Sequence, residues 1–245
     1  ARAYQDYPDQ VEKAKVLIRF ISLENCPEEF STEITKFNNT QNRIDRREFV
    51  ALDPQQERIK NELQLEEIIY AYKSGESIPR EQKGFDLNEA TICLACKQNE
   101  VSFVTRVKDK ISTLWDNIEK APYKILFNES VSSLEIWKLV QILRIVDNKL
   151  SAAKQNLEGR DKLFAVHSSR LILHLVYKTL PEIDFNSSSE LISSQKNYIE
   201  NKTLDFLEQI IAKTSNLYPN AYPANTFRNI NKCQEIIGII LEKNT

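Results

Sequence analysis

The stretch "GFDLNEATICLACKQ" at residues 84–98 decides how most of the chain folds. Asp86 is a residue type that caps helix N-termini, and Glu89 follows three positions later, which is the spacing of a capping box. An apolar run begins directly after this pair. The stretch therefore predicts a helix that begins after Asp86, and a helical pattern continues from there almost to the C-terminus.

The pattern downstream predicts five more helices, over 101–118, 130–150, 163–180, about 189–217 and about 226–242. Ser132 and Glu135 repeat the capping-box spacing at the start of the second of these helices. Pro181 ends the third. The segment "APYKILFN" at 121–128 is interpreted as a connection.

Upstream of residue 80 the pattern is mixed. Two short strands and a short helix are predicted at 16–23, 68–76 and 28–38. A further helix begins after Asp53, which is a good N-cap, with Pro54 at the first helical position and Gln56 at the capping-box position. The sequence therefore predicts a mainly α protein, with a small mixed α/β segment over 1–80 and a multi-helix domain over 81–245.

The composition limits the classes of function. A chain of 245 residues can bury a core without disulfides, and its net charge of −2 predicts no basic face over the whole chain. Only 4 residues are Gly, which disfavours phosphate-cradling loops. No apolar run is long enough for a membrane span, and no secretory signal is present. A cytoplasmic protein with reduced thiols is expected, and the lack of Met indicates a fragment of a longer natural chain.

Cysteine spacing offers one candidate metal motif. Cys93 and Cys96 form a C-x-x-C, but a zinc site needs about four ligands, and Cys26 and Cys233 are isolated in the sequence. The pair also lies in the apolar helix after Asp86, where Cys behaves as a small hydrophobic residue. We therefore expect both thiols in the core rather than on a metal.

Two other patterns could carry catalysis. His167 and His174 are seven positions apart on one predicted helix, which favours a packed seam over a metal site. The acid-x-Lys patterns at 81–83 and 147–149 resemble the last element of a metal-dependent nuclease, but neither follows a predicted strand. We expect no metal site and assign no catalytic residue, although an enzyme whose carboxylates meet only in the fold stays open.

A polar stretch, "NNTQNRIDRR" at 38–47, is hard to explain by packing. Its arginines could pair with phosphates, and its amides could contact bases or backbone. Asp45 and Glu48 lie among them, so intramolecular salt bridges are an alternative explanation. The candidate nucleic-acid-binding residues are Asn39, Gln41, Asn42, Arg43, Arg46 and Arg47.

Four blocks resemble the AIPR family, the abortive-infection phage-resistance proteins of bacteria. They are "FNNTQNRIDRREFVALDPQQERIKNEL", "YAYKSGE", "GFDLNEATICLACKQ" and "LWDNIEKAPYKILFN", in the family's order, and the matching region covers about residues 16–128. The family's Asn-Thr-Gln-Asn segment is similar to residues 39–42. Two positions depart from the family pattern, because Glu48 replaces an Asp and Cys93 replaces an Ala.

The resemblance implies a bacterial protein of antiviral defence. The chain would be the helical C-terminal region, acting as a regulatory, sensing or nucleic-acid-binding module for a nuclease-like domain that is absent from this chain. Any Mg²⁺ would belong to that domain, and no cofactor is expected here. DNA or RNA and a second copy of the chain are the expected partners, with no membrane. The alternative is a helical interaction or oligomerisation scaffold, in which the polar stretch only braces a junction.

Overall fold

The computed structural model describes residues 46–181 and 190–242, together with residues 22, 24, 27, 30 and 34. The chain divides into two compact units, 1–44 and 45–245, and the elements below belong to the second unit. The predicted strand over 16–23 lies outside the described residues except at Ser22. Of the predicted helix over 28–38, only Phe30 and Ile34 are described, and both are helical.

Within the described ranges the second unit consists of α-helices, two 3-10 helices and one two-stranded parallel sheet, so the predicted mainly α class is confirmed. In chain order the elements are α1 Arg46–Val50, α2 Pro54–Gln64, β1 Ile69–Ala71, β2 Gly84–Asp86, α3 Leu87–Lys97, α4 Val101–Lys110, α5 Tyr123–Leu126, α6 Ser133–Ala153, α7 Gly159–His167, α8 Ser169–Thr179, α9 Ser193–Leu217, α10 Pro223–Thr226 and α11 Ile230–Glu242. The 3-10 helices are Ile111–Trp115 and Lys154–Asn156. None of the described helices is both long enough and apolar enough to span a membrane.

Helix α3 lies at the centre of the core and packs against α4, α6 and α8. The predicted capping box forms at its start. The Asp86 carboxylate accepts a hydrogen bond from the Glu89 amide at 2.9 Å, and the Asp86 amide donates to the Glu89 carboxylate at 3.3 Å. Two otherwise unsatisfied amides of the first helical turn are thereby paired, which fixes where α3 begins.

Arg144 of α6 ties this helix start to the sheet. Its guanidinium donates to both Glu89 carboxylate oxygens, at 2.8 and 2.9 Å, and to the Gly84 carbonyl at 2.7 Å. Gly84 itself has no room for a side chain, because a Cβ there would lie 2.5 Å from the carbonyl oxygen of Ile69. The register of β1 on β2, with Ile69 opposite Gly84, depends on this close approach.

The sheet joins both sides of residue 80. Strands β1 and β2 pair in parallel, with Tyr70 opposite Phe85 and Ala71 opposite Asp86. The Tyr70 ring lies 4.9 Å from that of Phe85, which in turn stacks on Trp137 of α6. The predicted division into 1–80 and 81–245 stays a prediction.

Two predicted capping boxes do not form, although both helices begin as predicted. Ser132 makes no side-chain cap hydrogen bond, and the Glu135 side chain forms an ion pair with Lys97 of α3. At α2, the Asp53 carboxylate accepts from the Gln55 amide at 3.2 Å, whereas the Gln56 side chain turns into the core. At both helix starts the side chain that would complete the capping box, Glu135 or Gln56, makes tertiary contacts instead.

Two long predicted helices are each divided. The prediction over 101–118 is wrong beyond Lys110, whose extended backbone separates α4 from the following 3-10 helix. The prediction over 163–180 is wrong at Ser168, where α7 ends and α8 begins. The Ser168 hydroxyl donates to the Phe164 carbonyl at 2.7 Å, a contact that bends helices. The segment 121–128, interpreted as a connection, contains the short helix α5.

We expect Asp86→Ala to lower the free energy of unfolding by about 1 kcal/mol, because it removes the cap of α3. Ser132→Ala is the matched control, since Ser132 precedes a longer helix but makes no side-chain cap hydrogen bond. Urea denaturation of both variants measures the difference. Equal losses in the two variants would show that the capping box does not stabilise α3.

Candidate nucleic-acid interface

The structure describes only part of the predicted interface. Asn39, Gln41, Asn42 and Arg43 lie outside the described residues. Arg46 begins α1. Arg47 is the one candidate whose side-chain contacts are described, so the interface remains a prediction at the other positions.

Arg47 braces the end of β1. Its Nε donates to the Tyr72 carbonyl at 3.0 Å and its Nη2 donates to the Ala71 carbonyl at 2.9 Å. A guanidinium that donates to two backbone carbonyls fixes the strand end relative to α1. For this residue the geometry favours the bracing interpretation over a phosphate contact.

A buried polar network lies beneath this brace. The Tyr123 hydroxyl donates to the Asp53 carboxylate at 2.6 Å and accepts from the Gln56 amide at 2.7 Å. The Tyr70 hydroxyl donates to the Gln56 side-chain oxygen at 2.5 Å. Burial, and next the Asp53 carboxylate, raise the pKa of Tyr123, so this hydroxyl stays protonated and keeps donating. The network holds α2, β1 and α5 together.

The charges around the end of β1 are paired with one another. Lys60 lies 2.7 Å from the Glu76 carboxylate and Lys73 lies 3.5 Å from that of Glu57. Glu57 also accepts a hydrogen bond from the Tyr72 hydroxyl, and this bond is the main cause of its lowered pKa. Two cations therefore meet two carboxylates here, which suits a structural junction better than a surface that attracts phosphate.

A different surface brings four basic side chains together. We call Lys108, His167, Arg170 and Arg228 the cationic surface. Lys108 of α4 donates to the carbonyl of Val166 at 3.3 Å, so its charge meets a neutral partner there. Arg170 of α8 and Arg228, in the turn before α11, each meet one carboxylate. These are Asp147 at 3.1 Å and the exposed Asp109 at 3.6 Å.

The electrostatics show that these groups affect one another. Burial, then the charges of Arg170 and Arg228, lower the pKa of Lys108. Burial, then the charges of Lys108 and Arg228, lower the pKa of His167. Each positive charge makes protonation of its neighbours less favourable. A bound anion would offset this repulsion.

The four residues come from three separate parts of the chain, and no local motif joins them. Lys108 lies on α4, His167 and Arg170 flank the break at Ser168, and Arg228 follows α10. The prediction that His167 and His174 share one helix is wrong, because that break separates them. The position of His167 on this surface could therefore not be predicted from the sequence. In the sequence, each of the four basic residues is typical of an ordinary solvated position.

The cysteine prediction is confirmed for Cys93 and Cys96, which are both fully buried in the core. Burial raises the pKa of Cys96 to about 12, so the thiol stays protonated and unreactive. The Nδ1 of buried His174 lies 2.8 Å from the Cys96 carbonyl. In the part of the chain that the structure describes, no cluster of three or more His, Cys, Asp or Glu side chains could hold a metal.

The acid-x-Lys patterns are engaged in ion pairs. Lys83 lies 2.7 Å from the Glu190 carboxylate, Lys149 lies 2.7 Å from that of Glu200, and Asp147 pairs with Arg170. Neither pattern lies at the carboxyl end of a strand, because the first precedes β2 and the second lies within α6.

Comparison with known proteins identifies the family. A model of the AIPR protein family matches residues 1–221. The chain belongs to the AIPR family. No curated protein and no solved structure matches it.

The AIPR match is longer than the region of about residues 16–128 that resembles the family and includes most of the helical unit. Lys108, His167 and Arg170 lie within the matched residues, whereas Arg228 and α11 lie beyond them. Membership of the AIPR family connects the chain with phage resistance.

We expect Arg47→Ala to lower the free energy of unfolding by about 2 kcal/mol, because two charged hydrogen bonds to partly buried carbonyls are lost. Arg80→Ala is the control, since Arg80 is exposed in the turn between β1 and β2, and we expect a change of at most about 0.5 kcal/mol. Denaturant unfolding measures both. Stability that is unaffected by Arg47→Ala would contradict the bracing role.

The buried His174 makes the fold sensitive to mild acid. Burial lowers its pKa in the folded chain below the ordinary value of about 6.5, so the unfolded chain binds this proton first as the pH falls. Its contribution is complete above about pH 6.5 and is lost as the pH falls towards the lowered value. We expect the wild-type stability to drop as the pH falls below about 6.5, before most carboxylates titrate.

His174→Gln should show a smaller drop over the same range, because a group that titrates differently in the two states is removed. His167→Gln is the control, since its ring is less buried, and it should keep most of the wild-type dependence. Denaturation midpoints across the pH series provide the measurement. An unchanged pH dependence in His174→Gln would contradict this assignment.

Proposed function

We propose that this AIPR chain serves phage defence as a nucleic-acid-binding module, and that the cationic surface holds the phosphates. The observation that carries the proposal is the position of Lys108. Lys108 is half-buried, its ammonium donates to the carbonyl of Val166, and burial, then the charges of Arg170 and Arg228, lower its pKa. A phosphate at this place would offset that repulsion and accept hydrogen bonds from ammonium and guanidinium groups.

The overall charge fits a local surface of this kind. A chain with net charge −2 cannot attract nucleic acid over its whole area, so binding would need a small region where cations outnumber carboxylates. At the end of β1, Lys60 and Lys73 each meet a carboxylate and Arg47 is held by two backbone carbonyls, whereas on the cationic surface Asp109 and Asp147 face three side chains that are cationic at neutral pH. Phosphate contacts there would fix the position of the strand without reading its sequence.

The role within the defence response would be regulatory. A module that binds nucleic acid could sense its presence and control a nuclease-like partner domain, as the family resemblance implies. The segment with Asn39, Gln41, Asn42, Arg43 and Arg46 remains a second proposed contact region. Arg47 is left out of this contact because it donates to the Ala71 and Tyr72 carbonyls at the end of β1.

The test is a fluorescence-anisotropy titration of the chain with a labelled oligonucleotide, at several salt concentrations between about 50 and 200 mM. We expect tight binding at low salt that weakens steeply as salt rises. The double variant Lys108→Gln with Arg228→Gln should bind more weakly and lose about two units of the log–log salt slope, about one for each phosphate contact.

The charge-matched control is Lys120→Gln with Lys196→Gln, which removes two exposed lysines from other places. Lys196 lies on α9 close to Tyr198, whose hydroxyl donates to the Thr179 carbonyl at the C-terminal end of α8. Arg170 lies at the N-terminal end of α8, so Lys196 is distant from the cationic surface. Thermal unfolding checks that all variants fold. An equal loss in both double variants would mean a general charge effect and would contradict the cationic surface.

Two further outcomes decide between the alternatives. A loss only in Arg43→Ala with Arg46→Ala would move the contact to the polar stretch. Failure of the wild-type chain to bind any nucleic acid would remove the proposal. If light scattering over a concentration series then shows self-association, the scaffold alternative gains support.

A further inference from the structure

The loop at 218–222 is held firmly beside the cationic surface. The guanidinium of Arg160 on α7 donates to the Tyr218 carbonyl at 2.7 Å and to the Ala221 carbonyl at 2.8 Å. The Ala221 amide closes the turn by donating to the Tyr218 carbonyl at 3.1 Å. The backbone of this loop therefore has fixed partners on both sides of its turn.

Tyr222 ends this loop, and its backbone is fixed as well. Its carbonyl accepts from the amides of Asn225 and Thr226 at 3.0 and 3.1 Å, and the next residue, Pro223, is buried. Tyr222 as a residue is nevertheless 54% exposed. The loop therefore presents a large aromatic side chain to solvent from a fixed backbone, next to the cationic surface.

The ring lies at the border of the cationic surface. Its centroid is 6.1 Å from that of the His167 imidazole, with the two planes inclined by 56°. Val166, whose carbonyl binds Lys108, is exposed next to His167. Aromatic faces thus lie beside groups that can hold phosphate, which is the combination that single-stranded nucleic acids bind.

We propose that Tyr222 stacks on an unpaired base of a single-stranded nucleic acid whose phosphates lie on the cationic surface. The inference rests on the proposed function and names its ligand class. Bases in a duplex are already stacked and paired, so their faces cannot reach the Tyr222 ring, whereas every unpaired base presents one. His167 borders the same ring and gives the base a second flat neighbour.

The test compares three labelled ligands of the same sequence and about 16 nucleotides, namely single-stranded DNA, single-stranded RNA and duplex DNA. We expect the wild-type chain to bind at least one single strand more tightly than the duplex. Tyr222→Ala should weaken single-strand binding by about fivefold or more, and Tyr222→Phe should keep it, because stacking needs the ring and not the hydroxyl. The two single-strand arms decide which sugar is preferred.

Ile192→Ala is the matched control, because Ile192 is another exposed apolar side chain, at the start of α9, away from this loop. It should leave every affinity unchanged, and unfolding curves check that each variant folds. If duplex and single strands bind equally well and Tyr222→Ala has no effect, the stacking inference is overturned while the proposed function stands. If no ligand binds the wild-type chain, both fail.

Discussion

The hydrogen bonds of Arg144 are the constraint on which the fold depends most. One guanidinium joins α6 to the Glu89 carboxylate, the second partner in the capping box of α3, and to the carbonyl of Gly84 in β2. The guanidinium also lies 5.7 Å from the centroid of the Trp137 ring, which stacks on Phe85 of β2. Gly84 must be a glycine because Ile69 passes so close to it. Strand register, helix start and helix packing are therefore set at one place.

Two polar regions of the unit have opposite character. At the end of β1, Arg47 donates to backbone carbonyls and the neighbouring lysines meet carboxylates, so this region stabilises the junction of α1, α2 and the sheet. On the cationic surface, Lys108 meets a carbonyl and lies among other cations. Opposite charges that are already paired stabilise a fold, whereas cations gathered together attract an anion from outside. This contrast moves the proposed phosphate contacts away from Arg47.

The features that could be predicted from the sequence are those that depend on local interactions. Asp86 and Glu89 need only each other to form a capping box, and α3 begins where they predict. The same spacing at Ser132 and Glu135 does not form a box, because Lys97 of another helix binds Glu135. Ser168 interrupts an apolar pattern that reads as continuous. The cationic surface brings together residues up to 120 positions apart, from Lys108 to Arg228, and periodicity carries no information about such contacts.

Ultraviolet cross-linking of the wild-type chain to a single-stranded oligonucleotide, followed by peptide mass spectrometry, tests the central claim most directly. Cross-links form only where a base touches a side chain, so they locate the contact without any substitution. The account predicts cross-linked peptides that contain Tyr222 or His167, and their loss when unlabelled single strand competes. Cross-links confined to residues 38–47, or to the ion-paired region at the end of β1, would contradict it.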